Sequence, residues 1–178
     1  MSLSMYKASA PVFVRGLKVM ADLLRKAQAH AEEHGVVPEV LLSARLADDM
    51  LPLTAQVQRA SDTSKLSIER LTGVPAPKMP DNEASFEQLQ QRIADTIAYI
   101  DSVGEAQFVG SETRAVALSF GNFKPNFNGE SYLLTFALPN FYFHMVTLHD
   151  ILRNQGVKIG KIDYLGPYQD AGGSDPLV

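Results

Sequence analysis

The chain has 178 residues, a formal net charge of −4 and no cysteine. Its 46% hydrophobic and 20% charged residues are those of one globular domain, long enough to bury about 70% of its unfolded surface. The missing cysteines exclude disulfides, zinc thiolates and thiol nucleophiles, and the acidic balance argues against a nucleic-acid footprint. No apolar run reaches the ~18 residues of a membrane span. The opening MSLSMYKASAPVFVRG lacks the layout of a signal peptide, so the expected location is the cytoplasm.

In chain order, the first predicted helix runs from about Met5 to His34. Val12, Phe13, Leu17, Met20, Leu24, Ala27 and Ala31 recur at the spacing of a buried helical face. Pro11 sits near its start, and Gly35 stands where a left-handed cap costs least. The second predicted helix opens at Pro38 and Glu39 and continues to Leu71, with Gly73 as its stop. Leu46, Met50, Leu53, Val57, Ala60, Ser64, Ser67 and Leu71 step by four and three, a bundle seam. Pro52 inside this run predicts a kink. The linker Val74-Pro75-Ala76-Pro77-Lys78-Met79-Pro80 reads as an extended crossing connection.

The third predicted helix starts at Ser85, whose spacing to Gln88 is that of a capping box, and stops at Gly104. Phe86, Leu89, Ile93, Ile97, Ile100 and Val103 line one side of it. From Arg114 to Asn128 the pattern changes. Val116, Leu118 and Phe120 alternate with smaller residues, Gly121-Asn122 reads as a turn, and Phe123 and Phe127 follow. This predicts a short β-hairpin or extended insert, whose second strand Pro125 restricts to an edge. The fourth predicted helix spans about Glu130 to Gln155, capped by Asn128 or Gly129, kinked at Pro139 and ended by Gly156. Leu133, Ala137, Asn140, His144, Thr147 and Ile151 form its seam. The expected organisation is an all-α four-helix bundle over residues 1–165 and a flexible, glycine-rich tail over 166–178.

Two seams carry polar residues where leucine would be ordinary. On the second helix, Asp49 and Gln56 lie seven residues apart on the side of Leu46 and Leu53. On the fourth, Asn140 and His144 are one turn apart. A buried carboxylate without a partner costs several kcal/mol, so an inward Asp49 demands an imidazolium, hydrogen-bond donors or a metal ion. His149 follows His144 by five residues, which leaves the two side chains about 140° apart on a straight helix, too far to share one ion. His30 and His34 have ligand-like spacing but sit in the last turn of a charged helix end, where exposed imidazoles are the ordinary reading. Lys7, Arg15, Lys18, Arg25 and Lys26 read as a solvated face, and Phe141, Tyr142 and Phe143 as core packing or a self-association surface. No G-x-S-x-G and no glycine-rich phosphate loop is present.

The segments LLSARLADDMLPLTAQVQRASD and LPNFYFH…DILRNQGV…GKIDYL resemble the DinB/YfiT-like superfamily, and more closely a bacterial branch of it described only as a domain of unknown function. The resemblance covers about residues 1–165. It implies a four-helix bundle, often dimeric, holding a divalent metal on three histidines: one from the second helix and an H-x-x-x-H pair from the last. Some members are thiol-dependent transferases or isomerases. The second histidine of the pair falls on His144, twelve residues before Gly156. The first falls on Asn140, and the second-helix histidine falls near Gln56, with Asp49 as the other candidate. Zinc prefers nitrogen and sulfur ligands. A set of His144, Asn140, Gln56 and Asp49 is richer in oxygen and suits a harder ion such as Mn or Mg; Zn and Ni are the other candidates.

Two functions follow. One is a divalent-metal-dependent enzyme in which His144 is a ligand, Asp49 a ligand or general base, and Gln56 and Asn140 orient water or substrate. The other is a non-catalytic bundle, a homodimer or small-molecule binder, whose seam residues form a polar network or cleft. The second is the leading expectation.

Overall fold

Ser4 starts the first helix by accepting a hydrogen bond from the Lys7 amide at 3.2 Å. The helix, α1 (Met5–His34), runs through Pro11 and ends at Gly35, whose φ of 63° is the left-handed cap its sequence predicts. A computed structural model describes residues 3–119, 121–122 and 124–167 of the chain. Phe120 and Phe123, expected in the insert, and residues 168–178 of the tail expected over 166–178 lie outside the described residues.

The second predicted helix is two helices. A short α2 (Pro38–Leu42) is followed by turns, and α3 (Leu53–Thr72) begins afresh with Pro52 as its extended N-cap, at ψ 170°. Proline offers no amide hydrogen and drives the preceding residue out of the helical region, so a break costs less here than a kink. The break is stitched by the Leu53 amide to the Ala44 carbonyl at 2.9 Å and by Thr54 Oγ1 to the Leu42 carbonyl at 3.1 Å. Leu46 and Asp49 therefore leave the seam and lie exposed in the turns. From Leu53 onward the predicted seam is buried, with Leu53, Val57, Ala60, Ser64, Ser67 and Leu71 all inside.

The segment 73–85 does cross, and it runs back along α3. Tyr99 donates to the Val74 carbonyl at 2.8 Å, Ser61 lies beside Met79, Arg59 meets Asp81 at 3.1 Å, and Gln58 meets Glu83 at 2.8 Å. The next helix, α4 (Phe86–Asp101), capped by Ser85 as predicted, thus begins beside the start of α3 and runs parallel to it. Arg92 of α4 fastens this return. Its guanidinium is 2.9 Å from Asp62, 3.0 Å from Asp81 and 2.8 Å from Glu83, and also donates to the Pro80 carbonyl. Lys65 adds a second contact to Asp62 at 2.7 Å. Partial burial pushes the Glu83 carboxyl up, but hydrogen bonds from Arg92 and Gln58 outweigh it and hold the carboxyl below its ordinary value.

After a 3-10 turn (Glu105–Phe108) comes the hairpin: β1 (Ala115–Ala117) pairs antiparallel with β2 (Asn126–Asn128), Val116 opposite Phe127. Asn128 then caps a helical stretch, accepting from the Ser131 amide at 2.8 Å. The stretch consists of α5 (Gly129–Tyr132), one π turn (Leu133–Ala137) and α6 (Leu138–Asn154). The kink expected at Pro139 is expressed as the π turn, in which the Leu138 amide reaches back five residues to the Leu133 carbonyl. Gly129 has its own necessity: a Cβ there would collide with the backbone carbonyl of Ser111. A last short helix, α7 (Lys161–Leu165), returns to α1, where Lys26 pairs with Asp163.

The long helices form a ring in the order α1, α4, α3, α6. Gln90 bonds the Ala21 carbonyl and Gln28 bonds Glu87, so α4 is antiparallel to α1. Phe13 packs on Phe141 while His30 lies near Gly156, so α6 is parallel to α1. The architecture is the predicted four-helix bundle with a hairpin insert, and its core holds Phe13, Leu17, Met20, Leu53, Ile68 and Phe141. Among the described residues no helix is long and apolar enough to cross a membrane.

Two outcomes are expected. Arg92→Ala leaves Glu83 without a cation and three carboxylates to share Arg59 and Lys65, and should cost about 3 kcal/mol of stability, with Arg92→Lys a poor rescue because one ammonium cannot span them; urea unfolding of both variants measures this. Gly129→Ala forces the backbone off Ser111 and should cost at least about 2 kcal/mol, read by the same method.

Candidate functional site

Running α3 antiparallel to the α5–α6 stretch brings polar groups together at three places along one seam. At one end Tyr132 meets Ser67 at 3.0 Å and Arg70 at 2.9 Å. In the middle Asn140 Nδ2 donates to Thr63 Oγ1 at 2.7 Å. At the other end His144 Nδ1 lies 2.8 Å from Gln56 Oε1.

The last pair fixes a tautomer. Gln56 Nε2 donates to the Leu51 carbonyl at 2.8 Å, which turns Oε1 towards the imidazole. An amide oxygen only accepts, so His144 Nδ1 carries the proton and Nε2 keeps its lone pair. Gln56 is 1% exposed and His144 8% exposed. Burial, helped by the nearby Arg59 guanidinium, lowers the His144 pKa to about 4. The ring is therefore neutral at pH 7, and its Nε2 has no hydrogen-bond partner among the described residues.

Of the four residues predicted for the site, Gln56 and His144 touch and Asn140 lies one turn away on the same seam. Asp49 does not join them. The seam that was to carry it inward stops at Pro52, and the residue sits in an exposed turn. No carboxylate answers His144; a neutral amide does. His149 points elsewhere, as its 140° offset predicts, to Asp150 at 2.9 Å and the Gly160 carbonyl at 3.3 Å. His30 and His34 stack at 4.2 Å between ring centroids with His34 exposed, the ordinary helix-end arrangement.

A three-histidine metal centre does not fit these donors. Gln56 Oε1 already accepts from His144 and Asn140 donates its Nδ2 to Thr63, so the seam offers one imidazole nitrogen, His144 Nε2, and the neutral amide oxygen of Asn140, not three histidines. Among the described residues no three histidine or acidic side chains cluster as a metal would require. Thr63 and Arg59 were missed by the sequence analysis. Thr63 lies four residues before Ser67 and seven after Gln56, positions that the seam spacing alone would have placed on the same side.

The comparisons agree with this geometry at the level of the fold. Residues 5–165 match the family DUF1993, a domain of unknown function. A solved structure described as a DinB family member protein from Shewanella denitrificans is 38% identical, with a TM-score of 0.86, over 93% of this chain and 95% of that one. No relative among curated proteins matches. With the family matched across nearly the whole bundle and a DinB family member superposing on it, the chain belongs to the DUF1993 family of DinB-like domains.

Proposed function

We propose that this protein is a non-catalytic DinB-like bundle in which the α3–α6 seam is a neutral polar lock facing a small-molecule cleft rather than a metal centre. The observation that carries the reading is the Gln56–His144 contact at 2.8 Å with the amide of Gln56 already spent on Leu51. Each group satisfies the other without a charge or an ion. What remains for a ligand is one acceptor, His144 Nε2, beside the exposed ring of Phe143, whose centroid is 5.3 Å from the imidazole. A neutral molecule with an N–H or O–H donor and an apolar body suits such a rim.

One observation favours a second reading, a divalent-metal enzyme using His144. A metal-bound imidazole commonly donates its other ring N–H to a fixed acceptor, and His144 donates Nδ1–H to Gln56. Metal analysis of untagged protein separates the two readings. The lock predicts substoichiometric metal and no thermal shift on adding Zn, Mn, Ni or Mg; one metal per chain, lost in His144→Ala, overturns it.

The lock also has a pH signature. His144 titrates at 6.5 in the unfolded chain and at about 4 in the folded one. The unfolded state then binds more protons between these values, so stability from this residue is complete above about pH 6.5 and declines as the pH falls towards 4. His144→Gln should flatten that part of the stability–pH curve, measured by urea unfolding from pH 4 to 8. At pH 7, His144→Ala strands the Gln56 oxygen and should cost about 1–3 kcal/mol.

A further inference from the structure

On the face of the ring opposite the α3–α6 seam, α1 and α4 enclose a groove of about 620 Å³, within the size range of small-ligand sites. Its cause is a run of small side chains. Ala10 and Ala21 on α1 face Ala94 on α4, and the gap between them is floored by Val14, Ile93 and Ile97. The groove is polarised along its length. Tyr6 and Asp101 stand at one end; Arg15, Lys18 and Arg25 stand on α1 towards the other, where Gln90 bridges the helices. Arg25 is neutralised by Asp22, and Arg15 donates to the Leu165 carbonyl without meeting a carboxylate. Lys18 is exposed and makes no hydrogen bond or ion pair among the described residues. An apolar trough with two cations lacking carboxylate partners beside its midpoint, and a carboxylate at the Tyr6 end, is complementary to an apolar chain with one anionic head.

We propose that the α1–α4 groove binds a single-chain carboxylate amphiphile, its hydrocarbon on Val14, Ile97 and Ile100 and its carboxylate at Lys18 and Arg15. The acyl chain is directed towards Tyr6, since Asp101 repels the head from that end. The site is independent of the His144 seam. Apolar burial supplies affinity in proportion to the surface removed from water, and the cations set the orientation and the preference for an anion.

Dodecanoate is the probe, titrated by calorimetry into the intact protein below its micellar concentration, with dodecyltrimethylammonium as the matched cation. Saturable binding of one dodecanoate per chain, at least tenfold tighter than the cation, is expected. Lys18→Glu should weaken it at least tenfold. Ala94→Phe, at an exposed position, should fill the trough and abolish binding while leaving Tm in place. His144→Ala should leave it unchanged, so the groove is judged apart from the seam. Absence of saturation, equal binding of both amphiphiles, or undiminished binding in Ala94→Phe overturns the proposal. So does a more than tenfold gain in affinity in Asp170→Asn/Asp175→Asn, which would make the chain's own end the occupant.

Discussion

The guanidinium of Arg92, 3% exposed and gripped by Asp62, Asp81 and Glu83, is the constraint on which the arrangement of the bundle rests. Two consecutive helices joined by a tight turn would run antiparallel. Here thirteen residues, 73–85, are laid back along α3 before α4 can begin; Val74 packs on the core, and the second half, Asp81 to Ser85, is polar. Charge does the holding. Three cations, Arg59, Lys65 and Arg92, face three carboxylates, so the network is neutral as a whole and the desolvation of Arg92 is answered on several sides. Because the linker is fixed, α4 lies parallel to α3, and α6 is left free to close the ring antiparallel to α3. The polar seam exists only because that closure occurs.

Along the stretch from α5 through the π turn into α6 the alignment depends on one inserted residue. Tyr132 precedes His144 by twelve residues, which on a regular helix places the two about 120° apart. The π turn takes up about 100° of that difference, and both side chains then face α3, Tyr132 towards Ser67 and His144 towards Gln56. Pro139 explains why the irregularity falls here. It has no amide to offer the Thr135 carbonyl and its ring crowds that oxygen, so widening the preceding turn relieves the clash. Composition and spacing announce the proline but not which relief the chain adopts, since a kink and a π turn satisfy the same local rule.

The same distinction governs what the sequence made legible. Gly35, Ser85 and Asn128 act through a single local geometry each, and the helix ends they mark were readable. The hairpin was readable because Gly121-Asn122 separates two β-rich runs. Asp49 was misplaced because periodicity was carried across Pro52: Leu46, Met50 and Leu53 keep the spacing of a seam although the chain between them is not helical. Arg92 illustrates the opposite failure. It follows Leu89 by three residues and precedes Thr96 by four, both wholly buried, so the rule that singled out Asp49 also pointed to Arg92. Its partners lay in the linker and on α3, and no spacing within α4 could reveal them.

A glutamine on a helical seam holds its partner differently from a histidine. Histidine can turn a lone pair to an ion whichever nitrogen is protonated, whereas a glutamine offers one oxygen, and in Gln56 that oxygen is aimed by the bond from its own nitrogen to Leu51. The partner imidazole is thereby locked into one tautomer and one orientation. Because the ring is buried beside the charge of Arg59, protonation is disfavoured and the lock stays neutral through the physiological range. A cation entering the seam would meet the charge of Arg59, a single imidazole nitrogen and no carboxylate among the described residues. A neutral hydrogen-bond donor approaching Nε2 breaks nothing. On the reading proposed above, the contacts that hold α3 to α6 would also make the seam a better host for an uncharged donor than for a metal ion.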